Sequence, residues 1–277
     1  MSAIRIIIDL WLRTSTLYKK VTCDVIRNWL CSLHPECRSS LSQKTLGIVL
    51  SAMRPPHYSI YPTPTTSTIF RSPTPTKMTK VAIVFYSTFG HVTKMASAIQ
   101  KGIQTVPGVQ AQLYQVKETL NEEVLAKLHA PPKSDFPIAT PDVLKNADGI
   151  MLGFPTHFGM VPAQMKALFD ASVALWVKGE LIGKPCGIFF SCGSRGGGQE
   201  VSAMSTTPYI AHLGMLFVPL ALNGKTIEGS DEMHGCSLWG SGTVAGHDRS
   251  RQPSALELKV AEMQGKKFAE ITKKLAA

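Results

Sequence analysis

Three hydroxyl side chains, Ser87, Thr88 and Thr93, flank a turn between two contrasting patterns. Before the turn, Val81 to Phe85 form an apolar run suited to a buried strand. After it, Val92, Met95, Ala96, Ile99 and Ile103 recur at helical spacing. A strand, a hydroxyl-rich turn and a helix start together make a cradle for phosphate. The first-turn N–H groups lack intrahelical partners, and the positive end of the helix dipole lies there. Ser87-Thr88-Phe89-Gly90 contains no Lys or Arg. That argues against triphosphate chemistry and for one permanently held monophosphate, such as that of flavin mononucleotide (FMN). A side chain in place of Gly90 should crowd the cradle.

Two further loops carry residues suited to a flat ligand. In Pro155-Thr156-His157-Phe158-Gly159, Thr156 can offer a hydroxyl and backbone groups to a ring edge, while His157 and Phe158 can flank its plane. In Ser191 to Glu200, SCGSRGGGQE, four glycines let the backbone approach a ligand closely. Other chemistries are near misses. Cys192-Gly193-Ser194-Arg195-Gly196 has Cys where a hydrolase elbow needs Gly, and no clear Asp-then-His pair follows it in order. Gly179 to Pro185 is one residue short of a Walker loop and has Pro where Ser or Thr must reach magnesium. No G-x-G-x-x-G stands in a strand–helix setting, so a nicotinamide cofactor would bind by another route.

These loops need a scaffold that gathers them at one edge. Strand candidates are 81–86, 109–116, 149–154, 186–191 and 215–220; helix candidates are 91–104, 161–177, 199–212 and 254–275. Four of the strands are continuous apolar runs, as in a parallel sheet covered on both faces, whereas VQAQLYQV alternates and belongs at an edge. The pattern predicts an α/β, flavodoxin-like three-layer sandwich with a five-stranded parallel sheet in the order 2-1-3-4-5. Ligands of such folds collect beyond the carboxyl ends of the strands. Ser254 and Glu257 predict a capping box, followed by a core stripe of Val260, Met263, Phe268, Ile271 and Leu275.

The composition changes near Met78. Residues 1–77 hold 10 of the 29 Lys and Arg but only 3 of the 19 Asp and Glu, so much of the formal charge of +10 lies there. The nearly balanced remainder shows no basic stripe with interleaved aromatics and argues against nucleic acid. Residues 61–77, rich in Pro, Ser and Thr, read as disordered. The leader has two readings: a mitochondrial-type presequence, if translated, or an extension upstream of a true start at Met78, which leaves a cytoplasmic protein. The expected domain is 78–277. The 6 cysteines form no C-x-x-C pair, which speaks against zinc or a dithiol motif, and no metal site is expected. No apolar run approaches the ~20 residues that span a bilayer.

Taken together, YSTFGHV, PTHFGMVPAQMKALFD, LWVKGELIGKP, GGGQE, AHLGM and TVAGHDRSRQPS resemble the WrbA-type NAD(P)H:quinone oxidoreductases, flavodoxin-like FMN enzymes. The resemblance covers Met78 to Leu275 and leaves the leader without a counterpart. It implies that Ser87, Thr88, Phe89, Gly90, His91 and Val92 hold the FMN phosphate. It places Thr156, His157 and Phe158 along the isoalloxazine ring, and Cys192, Gly193, Ser194, Arg195, Gly196 and Gly197 around its polar edge. His212 matches a flavin-contacting His, Phe89 helps place the nicotinamide, and Trp176 borders the quinone pocket. The family's pocket is completed across subunits, which implies a homotetramer.

The sequence departs from the family at His157, at Cys192 to Arg195, and at His247 and Arg249, where Arg, a Ser-Thr-Gly-Thr pattern and glycines are usual. The implied reaction is two-electron reduction of a quinone by NADH or NADPH through FMN, with donor and quinone taking turns, and with His212 to stabilise or protonate the reduced quinone oxygen. Two other classes fit the fold. A flavodoxin-type electron carrier would usually be strongly acidic. A stress-response or scaffold protein with little activity would keep the fold, and the altered 192–195 loop suits it.

Overall fold

A computed structural model describes residues 78–220 and 232–276. The leader lies outside them, and with it the disorder and presequence readings. The elements run β1 (Thr79–Phe85), α1 (His91–Gln104), β2 (Val109–Gln115), α2 (Glu122–Lys127), α3 (Pro141–Asn146), β3 (Gly149–Pro155) and α4 (Ala163–Ala171). Then follow α5 (Val173–Lys178), β4 (Pro185–Cys192), α6 (Gln199–His212), β5 (Leu216–Phe217), β6 (Gly242–Val244) and α7 (Ala255–Leu275).

All strands pair in parallel, in the order β2-β1-β3-β4-β5, with β6 also on β4. The order is the one expected, with β2 at an edge. The fifth position, however, is filled by two short pieces. β5 pairs with Pro185 and Cys186 at the start of β4, and β6 pairs with Phe190 to Cys192 at its end. The expected strand 215–220 thus shrinks to two residues, and its upper half is supplied from 25 residues further along.

Side chains of a strand alternate between faces. Val81, Ile83 and Phe85 join Met95, Ile99 and Phe268 in one apolar layer beneath α1 and α7. Ala82, Val84 and Tyr86 join Leu152, Met165, Leu168 and Ile210 in the other, beneath α4 and α6. α1 and α7 cross closely because both carry glycine at the crossing: a β-carbon on Gly102 would overlap the Glu262 carbonyl, and one on Gly265 the Ile99 carbonyl.

Helices α1 and α6 have the expected limits. The expected helix 161–177 is broken at Ser172, whose buried hydroxyl bonds the Phe169 carbonyl at 2.6 Å and the Tyr209 hydroxyl at 3.0 Å. The capping box of α7 forms with both bonds in place. Its core stripe is rotated from expectation: Gln264, Gly265 and Thr272 are buried, and Leu275 is exposed. Among the described residues, no helix is long and apolar enough to cross a membrane.

Candidate functional site

The loops after β1, β3, β4 and β6 meet at the carboxyl edge of the sheet. Gly90 enters α1 at φ +89°, a left-handed conformation that favours glycine. Its N–H donates to Ser87 Oγ at 3.0 Å, which folds the loop back toward the helix start. The first turn of α1 contains no acidic residue and has no side-chain cap, so the positive end of its dipole is left open. A β-carbon at Gly90 would meet nothing within 4 Å. No protein atom would be crowded there; a side chain would strain the backbone angle and take space beside the cavity that Gly90 lines.

A cavity of about 250 Å³ lies between this loop and residues 131–134; Ser87, Thr88, Gly90, Thr93, Lys94 and Lys133 are among those lining it. Hydroxyls, an uncapped helix start and open space together fit a phosphate-bearing cofactor.

His91 and Val92 contribute differently from Ser87 and Thr88. Val92 is a core residue. The His91 ring is buried against the 249–251 segment, with Nε2 2.9 Å from the Arg251 carbonyl oxygen. Burial pushes its pKa below the usual 6.5, against the charged form of the ring. From these two residues, the cradle receives backbone N–H groups and not side chains.

Residues 157–160 form a tight turn closed by His157 N–H to Met160 O at 3.0 Å and Met160 N–H to His157 O at 2.9 Å. Phe158 stands at its tip in a left-handed conformation, 99% exposed. The turn is braced on α6: Thr156 Oγ1 bonds Ser202 Oγ and the Gly198 carbonyl, and Ser205 Oγ donates to the Gly159 carbonyl at 3.1 Å.

Gly193, Ser194, Arg195 and Gly196 are exposed in the next loop, which turns through Gly197 N–H to Ser194 O at 3.0 Å. The Cys192 side chain lies beneath them. Its buried thiol donates to the Ser194 carbonyl at 3.1 Å and accepts from Gln199 Nε2, while burial pushes its pKa up to about 11. Cys192 therefore supports the loop from beneath; its thiol offers nothing to a ring edge.

His212 and Trp176 stand apart from these loops. α6 begins at Gly198 beside Thr156 and runs 14 residues, so His212 lies ~20 Å away at the opposite edge of the sheet. There, Gly183 N–H bonds the Gly214 carbonyl. Trp176, 55% exposed on α5, heads toward the same edge, with exposed Val173, Val177 and Ile182 nearby in sequence. Within one chain, neither meets the cradle.

The structure also adds Lys133, which no motif indicated, and gives a contact to Arg249, which the sequence marks only as a departure from the family. Lys133 reaches the cradle from the α2–α3 connection, bonding the Ser87 carbonyl at 3.0 Å and Glu118 Oε2 at 2.8 Å. Burial would raise the Glu118 pKa, but Lys133, the Leu120 N–H and Gln164 outweigh it and hold it at about 2. From the loop after β6, the Arg249 guanidinium lies 4.5 Å from the Phe89 ring centroid. Sequence spacing gives no signal for either approach; both are products of topology.

Residues 80–226 match the family model described as NADPH-dependent FMN reductase. The chain is 52% identical over 198 residues to "Quinone-oxidoreductase QR2" of Triphysaria versicolor, covering 71% of this chain and 97% of that protein. It is 49% identical over 199 residues to "Protoplast secreted protein 2" of Saccharomyces cerevisiae, covering 71% and 100%. It is 47% identical over 197 residues to "NAD(P)H quinone oxidoreductase PST3" of Candida albicans, covering 70% and 98%.

Proposed function

The chain belongs to the NADPH-dependent FMN reductase family, and from that premise we propose how its loops divide the work of reducing a quinone. It is an FMN-dependent NAD(P)H:quinone oxidoreductase. Bound FMN supplies the two-electron redox chemistry that side chains lack. The observation that carries the proposal is the open, uncapped start of α1 facing a cavity lined by hydroxyls. Ser87, Thr88, Thr93 and the first-turn N–H groups hold the phosphate. Thr156 and the exposed backbone of 193–197 hold the polar edge of the ring system. Phe89, backed by Arg249, and Phe158 border the face over which the nicotinamide donor and the quinone bind in turn.

We further propose that His212 and Trp176 reach a cradle only in an assembly, through a second copy of the chain. The exposed apolar residues Val173, Trp176, Val177 and Ile182 support such an interface in a homotetramer.

The test is spectroscopic. Purified full-length protein titrated with FMN should show saturable binding. Its flavin band should bleach with NADPH under anaerobic conditions and return on addition of benzoquinone. Absence of saturable binding would overturn the proposal. Sedimentation should give a tetramer, and Trp176→Glu should dissociate it and lower quinone turnover; a wild-type monomer with full activity would refute the assembly.

A further inference from the structure

We propose that Lys133 is the cation that anchors the phosphate of the bound cofactor, a role that rests on the FMN reading above. Its side chain is held from three directions. Nζ lies 3.0 Å from the Ser87 carbonyl, 2.8 Å from Glu118 Oε2 and 4.6 Å from the centroid of the Tyr86 ring. Glu118 is fixed in turn by the Tyr86 hydroxyl at 3.0 Å, by Gln164 Nε2 at 2.8 Å and by the N–H groups of Thr119 and Leu120. The ammonium is thus positioned before any ligand arrives.

An ammonium has three N–H donors, and two are used here by Ser87 and Glu118. The third meets only the weaker face of the Tyr86 ring and can turn to an oxygen in the adjoining cavity, which Lys133 lines together with Ser87, Thr88, Gly90 and Thr93. The bond to Ser87 has a second effect. A bare carbonyl oxygen at the rim would face phosphate oxygens of like partial charge; Lys133 caps it. Lys94 also lines the cavity, but its exposed ammonium is turned to Gln252 Oε1 at 2.6 Å. Lys133, though paired with Glu118, therefore gives the cradle a fixed ammonium donor that the Ser87–Gly90 turn lacks.

The experiment compares FMN with riboflavin, which lacks only the phosphate, using flavin fluorescence on the full chain and on Lys133→Met and Lys133→Arg. Lys133→Met should weaken FMN binding at least tenfold and riboflavin binding less than twofold, and Lys133→Arg should recover most of the loss. Added salt should weaken FMN binding to the wild type more than to Lys133→Met. Unchanged FMN affinity, or equal losses for both flavins, would overturn the proposal. If the wild type bound neither flavin, the cofactor reading would fail first, and the anchoring role with it.

Discussion

At the scale of single residues, the carboxyl edge depends on Glu257 as much as on any cradle residue. Its carboxylate is fully buried and accepts from Gly235 N–H at 3.0 Å, Thr243 Oγ1 at 2.8 Å, Ser254 N–H at 2.8 Å and Arg251 at 3.0 Å. One side chain thus ties β6, the loop after it and the start of α7. Removing one partner of a buried, bonded pair typically costs ~3–5 kcal/mol. Glu257→Ala should therefore lower stability by about that amount in denaturant unfolding, and FMN affinity should fall with it. His91 makes a separate prediction. Its folded pKa lies below 6.5, so below that pH the native state binds fewer protons than the unfolded chain. Stability should fall as pH drops from about 6.5 through the lowered value, and His91→Gln should remove that part of the slope. Glu118 acts in a lower window: its contribution is present above about 4.5 and is lost as pH falls toward about 2. The hydroxyls and glycines of the cradle were legible because their signal is local, a strand end followed by a helix start. Lys133 and Glu118 were not, since each arrives by a connection whose path only the packed sheet defines; Arg249 stood out as a departure from the family, but its contact with Phe89 did not. Cys192 shows the converse: its position was readable, but not that its thiol turns inward.

At the scale of elements, periodicity marked the long helices well, and interruptions less well. α6 runs through Pro208, which cannot donate to the Met204 carbonyl. The Thr207 hydroxyl takes that carbonyl instead, at 2.7 Å. The buried face continues on both sides, from Ser202, Ala203 and Thr206 to Ile210, so the helix persists. Ser172 ends α4 by a buried bond to its own turn, an effect that hydrophobic spacing does not register. The stripe on α7 was misread because its closest neighbour is a backbone. Where α1 crosses, the position nearest the partner must be glycine, and apolar residues occupy only its flanks. Gly265→Ala should push against the Ile99 carbonyl and destabilise the protein by ~1–3 kcal/mol in thermal unfolding, the usual cost of overpacking. The α1 start should shift with it, weakening FMN binding.

At the scale of the whole molecule, strand order and edge placement were legible because parallel α/β sheets admit few arrangements. The division of the fifth position was not, since β5 and β6 are too short to carry a pattern of their own. The exposed apolar residues of α5 belong to this scale as well: in the proposed assembly they would meet a second copy of the chain. The split strand also bears on biosynthesis. During synthesis from the N-terminus, the chain through Phe217 can pair the lower part of β4, but the upper part, where the ligand loops gather, still has an open edge. It closes only when residues 242–244 and the helix behind them have emerged from the ribosome. Cofactor loading must therefore wait for residues 242–244 and α7. Nascent chains halted before residue 242 would expose an unpaired strand edge beside an incomplete site, the species on which chaperones should act.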